Sequence, residues 1–135
     1  MIIPIINNKI GIRQEYIPPY FIKDKTGEQL YYTPITGGIE DREDALKTAV
    51  RELEEEAGIR IKKYKLLHKI EDIATTKSVT NHSFVYILHI TEYDTVLVKG
   101  DGNDYEKKSK TVWVSPIRFT DIILNKKKKK ILMFC

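Results

Sequence analysis

Hydrophobic residues fall into two rhythms along this chain. Ala45, Leu46, Ala49, Val50, Leu53 and Ala57 recur at intervals of three and four, which on a helix gathers them into one apolar stripe. Asp41 stands where an N-cap is needed. Glu43 and Asp44 follow in the first turn, where negative charge meets the positive end of the helix dipole. Gly58 then supplies the left-handed residue that ends helices. The second rhythm is that of strands. Residues 9–14 and 28–33 predict two of them, flanking a segment, 16–26, whose middle is broken by Pro18-Pro19. Residues 59–70 alternate loosely and predict a strand after the helix. The run 82–93, HSFVYILHITEY, is apolar on both faces and predicts a central strand. Two further strands are expected at 95–99 and 111–114, joined through the turn-forming residues 100–104. A C-terminal helix over 115–132 would use Phe119, Ile122, Ile123, Ile131 and Leu132 as its contacts. The expected architecture is a mixed sheet with the acidic helix on one side and the C-terminal helix on the other.

Composition narrows the class. A chain of 135 residues forms one domain, 1–135, large enough to bury a core. With 41% hydrophobic and 31% charged residues it reads as soluble and globular, and no apolar run approaches membrane-spanning length. The apolar start MIIPIINN is short, is interrupted by Pro4 and lacks a basic leader, so it does not read as a signal peptide. One cysteine, Cys135, excludes an internal disulfide and fits a reducing, cytoplasmic setting.

The chemistry concentrates in residues 37–59, GGIEDREDALKTAVRELEEEAGI. Four of the five positions 52–56 are acidic. On an exposed helix such like charges repel by a few tenths of a kcal/mol per pair. A hard divalent cation with oxygen ligands, Mg²⁺ above all, relieves that repulsion. With the apolar stripe turned inward, Glu52, Glu55 and Glu56 sit at i, i+3 and i+4 and project from one patch of the opposite face. Gly37 and Gly38 let the backbone approach a ligand closely and can lend a carbonyl to a metal shell. The plainer reading is a solvated acidic helix in which Arg51 makes an ordinary i, i+4 pair with Glu55.

The order Gly37, five residues, Glu43, seven residues, then Arg51-Glu52-Leu53-Glu54-Glu55-Glu56-Ala57-Gly58-Ile59 resembles a complete Nudix box, with no defining position substituted. The preceding 32–36, Tyr-Thr-Pro-Ile-Thr, is similar to the lead-in of many members. The resemblance implies a Nudix-like α/β/α sandwich with a mixed central sheet. It also implies that Glu52, Glu55 and Glu56 are metal-binding carboxylates, with a backbone oxygen from Gly37 or Gly38. Arg51 and Glu43 would pair to fix the loop on the helix and aim the glutamates, so that Arg51 serves catalysis through its neighbours. The implied cofactor is Mg²⁺, with Mn²⁺ able to substitute, and the implied reaction is attack of water on a pyrophosphate linkage. Glu52, Glu55 and a downstream acid are all candidates for the general base. Glu106 is the first choice for that acid and Asp104 the second.

Substrate identity is less sharply drawn. Residues 72–80 show neither the proline nor the tyrosine associated with two known subfamilies. Arg13 and Lys23 are candidate phosphate-facing cations. Tyr16, Tyr20, Tyr31 and Tyr32 are candidate stacking residues, and Tyr32 and Gly38 join Arg13 as the expected substrate contacts. The first functional reading is hydrolysis of a nucleoside diphosphate linked to another moiety, a small-molecule substrate handled by a monomer or homodimer with no membrane partner. A net charge of +4 and the lysines at 126–130 admit a second, removal of pyrophosphate or a cap from RNA 5′ ends. A third is a nucleotide-sensing module without turnover, which the intact glutamate set disfavours.

Overall fold

The computed structural model describes residues 1–17, 29–40, 42–76, 79–98 and 109–124. The expected cap Asp41, most of the segment 16–26 with Tyr20 and Lys23, the turn 100–104, Asp104, Glu106 and everything from 125 onward lie outside them.

The elements are β1 (Ile2–Ile6), β2 (Lys9–Ile17), β3 (Gln29–Thr33), α1 (Ala45–Ala57), β4 (Ile59–Thr76), β5 (Val79–Thr95), β6 (Lys110–Val114) and α2 (Pro116–Leu124). Strand order is β3-β2-β1-β5-β4, and β6 takes the other edge of β2. β1 runs parallel to β5 while the remaining pairs are antiparallel, so the sheet is mixed.

β1 was not among the expected strands. Its first, third and fifth residues are buried, Pro4 included. Ile2 donates its N–H to Ile35 O at 2.9 Å, on the edge away from β5. Pro4, two residues on, faces its missing donor to that same edge, so the ladder with β5 stays whole. The hairpin to β2 turns on Asn7 and Asn8, both left-handed at φ 51° and 59°, as a two-residue type I′ turn requires. Gly11 sits opposite Trp113, and a Cβ there would come 2.9 Å from both the Pro4 ring and the indole. A larger residue would push the three strands apart.

The core gathers Ile2, Ile6, Ile35, Tyr86, Leu88 and Ile90 from the sheet side against Ala49 and Leu53 of α1. Leu53 is fully buried, which contributes about 2–3 kcal/mol. Ile12 alternates with Gly11 and Arg13 and so faces the other layer, where α2 packs on β2 and buries Ile122. The result is the α/β/α sandwich expected from the sequence. α2 begins with Ser115, whose hydroxyl accepts from Arg118 N at 3.2 Å, followed by Pro116 at the first helical position. Among the described residues no helix is long and apolar enough to cross a membrane.

Several boundaries differ from expectation: β2 runs on to Ile17, β4 reaches Thr76 and β5 already begins at Val79. Asp44, not Asp41, caps α1, accepting from Lys47 N at 2.8 Å. Glu43 therefore lies outside the helix. The expected strand at 95–99 does not form among the described residues: β5 stops at Thr95, Val96 N turns to Gly58 O at 2.8 Å, and Leu97 is 91% exposed.

Candidate active site

α1 presents its functional residues through a frame built on Arg51. The guanidinium donates from Nε to Glu43 Oε1 at 3.0 Å and from Nη2 to Glu43 Oε2 at 3.2 Å, a two-pronged pair that a lysine could not reproduce. Nη2 also donates to Gly38 O at 3.1 Å, tying the glycine loop to the helix. Nη1 donates to Glu52 Oε1 at 3.0 Å and to Glu55 Oε2 at 3.1 Å. Two carboxylates one helical turn apart thus meet at a single positively charged nitrogen. The exposed Glu40 carboxylate stands 3.8 Å from the same atom.

Glu43 is the anchor of this frame. Besides Arg51 it accepts from the Thr48 hydroxyl at 2.8 Å and from Glu40 N at 3.3 Å. The Arg51 bonds first, then that of Thr48, hold its carboxyl at about 2, well under the ordinary value of 4.5. Thr48 is 4% exposed and was not singled out in the sequence. Its one available signal was position, since it lies one turn ahead of Glu52 on the same helical face.

Glu52 has the opposite electrostatics. Burial raises its proton affinity and the neighbouring Glu55 adds to that, while Arg51 partly offsets both. Its carboxylate occupies the space beside Gly37 where a side chain would begin, so a Cβ on Gly37 would collide with it. Gly38 meets nothing within 4 Å at that position. The two glycines therefore differ: Gly37 makes room for a functional carboxylate, and Gly38 contributes a carbonyl already engaged by Arg51.

Glu56 departs from the expected patch. Its carboxylate lies 3.6 Å from Arg13 Nε, and its backbone carbonyl accepts from Arg13 Nη1 at 3.2 Å and Thr111 Oγ1 at 3.0 Å. Arg13 is itself 8% exposed and pairs with Glu15 at 3.0 Å. A buried guanidinium needs nearby negative charge, and β2 offers it to Glu56 across the edge of α1. Of the three glutamates expected to project together, Glu52 and Glu55 do so and Glu56 turns to the sheet. Among the described residues no three His, Cys, Asp or Glu side chains are gathered as a cluster able to hold a metal ion. Tyr32 sits half-buried on β3 with its hydroxyl 3.4 Å from Gln14 Nε2 and lines neither cavity beside the glutamates. Glu106 lies outside the described residues.

Those two cavities flank the helix. One, of about 360 Å³, is bounded by Gly37, Gly38, Thr48 and Glu52 with apolar walls from Ile35 and Phe84. The other, about 920 Å³, lies along the outer flank of α1 and ends at Arg51 and Glu55.

The donors fit a hard divalent ion in kind: the carboxylate oxygens of Glu52 and Glu55 converge on one cation, at a glycine that leaves no room for a side chain. A cation is already what Glu52 and Glu55 converge on, in the form of Arg51 Nη1.

Comparison with known proteins agrees with this construction. The NUDIX domain model matches residues 4–134. None of the curated proteins matches the sequence. Among solved structures the chain is similar to an ADP compounds hydrolase, with a TM-score of 0.59 and 20% identity over 93% of this chain. It spans 60% of the length of that protein. It is also similar to an Ap4A hydrolase of C. elegans in a binary complex, with a TM-score of 0.57 and 15% identity over 90% of this chain and 82% of that one. A NUDIX hydrolase from Nitrosomonas europaea gives a TM-score of 0.55 and 17% identity, over 90% of this chain and 75% of that one. At these identities the likenesses show the fold, and the family model carries the membership. Nudix hydrolases in general use divalent metal ions. With the model matched along nearly its whole length and the Arg51 frame in place, the chain belongs to the Nudix hydrolase superfamily.

Proposed function

We propose that this protein hydrolyses the pyrophosphate linkage of a nucleoside diphosphate joined to a second moiety, as a single cytoplasmic domain using Mg²⁺, which Mn²⁺ can replace. The observation that carries this reading is the meeting of Glu52 and Glu55 at Arg51 Nη1, between two cavities. The names of two similar structures, hydrolases of ADP compounds and of Ap4A, support a small nucleotide substrate.

Glu52 and Glu55 would hold the ion, with Glu56 joining them by exchanging its contact to Arg13 and with Gly37 offering its carbonyl. The bound ion supplies polarisation of the phosphoryl oxygens and neutralises charge developing on them. The remaining work belongs to the chain. Arg51, itself fixed by Glu43, aims the glutamates and positions them without touching the reacting atoms. Water forms a bond to one phosphorus, the bridging P–O bond breaks, and the second phosphate leaves with the bridging oxygen. The proton lost by the water passes to a carboxylate. Glu52, Glu55 and Glu106 are the candidates to receive it. The apolar cavity beside Gly37 suits a nucleoside. Arg13, expected to face a phosphate, is assigned here to holding Glu56 instead.

The test is turnover of a nucleotide panel with Mg²⁺ against a chelator, by wild type and Glu55→Gln. The panel would include ADP-ribose, diadenosine tetraphosphate, deoxynucleoside triphosphates and triphosphorylated RNA. The expected result is Mg²⁺-dependent release from a small nucleotide that falls by about a hundredfold or more in the variant. Equal activity in the two proteins would overturn the site, and tight binding without turnover would make the protein a sensor.

A further inference from the structure

Resting on that reading, we propose that Glu15 is a positioning residue of the metal site: it answers the charge of Arg13, so that the Glu56 carboxylate can leave that guanidinium for the ion. Alternation along β2 places Arg13 and Glu15 on the same face, against the last turn of α1. Arg13 is the register partner of Thr111 on β6, and the two side chains meet at one atom, the carbonyl oxygen of Glu56, at 3.2 and 3.0 Å. That carbonyl belongs to the final turn of the helix, where the carbonyls have no intrahelical partner. Two strands therefore anchor the backbone of Glu56 without using its carboxylate.

The carboxylate is held differently. Arg13 Nε carries a single hydrogen, and Glu15 accepts it at 3.0 Å. Glu56 Oε2 stands 3.6 Å from the same nitrogen, beyond hydrogen-bond length, so its tie to that atom is one of charge. Arg13 is buried, and a buried guanidinium stripped of negative neighbours is strongly unfavourable. Were Glu56 the only carboxylate at Arg13, turning it to an ion would strand that cation. Glu15 removes the penalty, because it keeps its bond to Nε while Glu56 departs. Glu56 follows Glu52 by four positions, one turn along α1, so a place beside Glu52 is within reach of its side chain with the helix left where it is. Glu15 touches neither the ion nor the substrate. Its effect passes through Arg13 to Glu56, and it governs how readily the ion binds rather than the reaction that follows.

The experiment measures Mn²⁺ binding to the metal-free full chain by electron paramagnetic resonance. The proteins are wild type, Glu15→Gln, Glu56→Gln, the two changes combined, and Glu54→Gln. The expected result is a Kd for Mn²⁺ about tenfold higher in Glu15→Gln than in wild type. Added to Glu56→Gln, the same change should move Kd by less than about twofold, because the carboxylate that Glu15 releases is gone. Glu54→Gln removes an equal charge from α1 itself and should stay close to wild type, which separates the exchange at Arg13 from general attraction of a cation. In turnover of whichever small nucleotide wild type hydrolyses best, the Mg²⁺ concentration giving half-maximal rate should rise about tenfold in Glu15→Gln, with kcat at saturating Mg²⁺ within about twofold. An unchanged Kd in Glu15→Gln, an equal rise in Glu54→Gln, or the same rise with and without the Glu56 carboxylate would overturn the proposal. If the combined variant does not fold, Glu15→Gln against Glu54→Gln decides alone. Failure of the hydrolytic reading looks different: wild type turns over no nucleotide, and the Mn²⁺ Kd values still decide the role of Glu15.

Discussion

Every nitrogen of the Arg51 guanidinium has an acidic or carbonyl partner, and the residues around it divide by what folding does to their charge. Glu43 is held at about 2 against an ordinary 4.5, so folding favours its ionised form. That stabilisation is complete above pH 4.5 and is lost as pH falls through 2. Thermal melts from pH 5 to pH 2 should therefore show the gap between wild type and Glu43→Gln closing as acid is added, and a constant gap would contradict the assignment. Glu52 is the reverse case. Its folded proton affinity is raised, so ionisation opposes folding and stability is lost as pH rises above the ordinary carboxylate range. Glu52→Gln should raise the Tm of the metal-free protein at pH 7. Glu56→Gln should lower it, through a loss of roughly 1 kcal/mol of stability, because the buried Arg13 loses part of its counter-charge. Shifts of the same sign in the two variants would show that the carboxylates are not distinguished in this way. The sequence made Glu52 and Glu56 look equivalent, one turn apart. The difference comes from Arg13, which β2 brings to α1 from 43 positions away.

Among the elements, the helix and the two strands β4 and β5 were legible, since periodicity and the terminal glycine determine them locally, whereas their extension to Thr76 and back to Val79 and their pairing as one hairpin were not. Gly58 is left-handed at φ 67°, donates to the carbonyls of Leu53 and Glu54, and leaves a Cβ only 2.5 Å from Val96 O. Gly58→Ala should cost about 2 kcal/mol or more, from the left-handed backbone and the contact together. A denaturant midpoint unchanged by the substitution would contradict this account of how α1 ends. β1 was hidden because IIPII lacks alternation and Pro4 reads as a breaker, whereas its neighbours leave the missing N–H without a role. The Asn7-Asn8 pair was the available signal for its hairpin. The helix start moved from Asp41 to Asp44 because Glu43 must stay outside the helix to reach back to Arg51. Two aspartates three positions apart could not decide that without the tertiary pairing.

For the whole molecule, the sheet serves to hold α1 with its apolar stripe down and its carboxylates up. Parallel pairing of β1 with β5 carries Ile2 beneath the helix and brings Ile35, two residues before Gly37, to the edge of β1. The glycine loop is thereby delivered to Glu52 by the core itself. That delivery joins residues 2, 35, 52 and 86, and no local pattern encodes it. The two cavities on either side of the carboxylates were equally invisible in the sequence, since the walls of one come from four separate segments and those of the other from three. The most direct test of the central claim is titration of the metal-free protein with Mn²⁺, followed by electron paramagnetic resonance, for wild type, Glu52→Gln, Glu55→Gln and Glu54→Gln. Glu54 carries the same charge on the same helix but faces Arg60 at 2.7 Å. The expected result is a loss of at least tenfold in affinity for Glu52→Gln and Glu55→Gln with Glu54→Gln close to wild type. Equal weakening in all three variants, or none in any, would mean that Glu52 and Glu55 do not hold the ion.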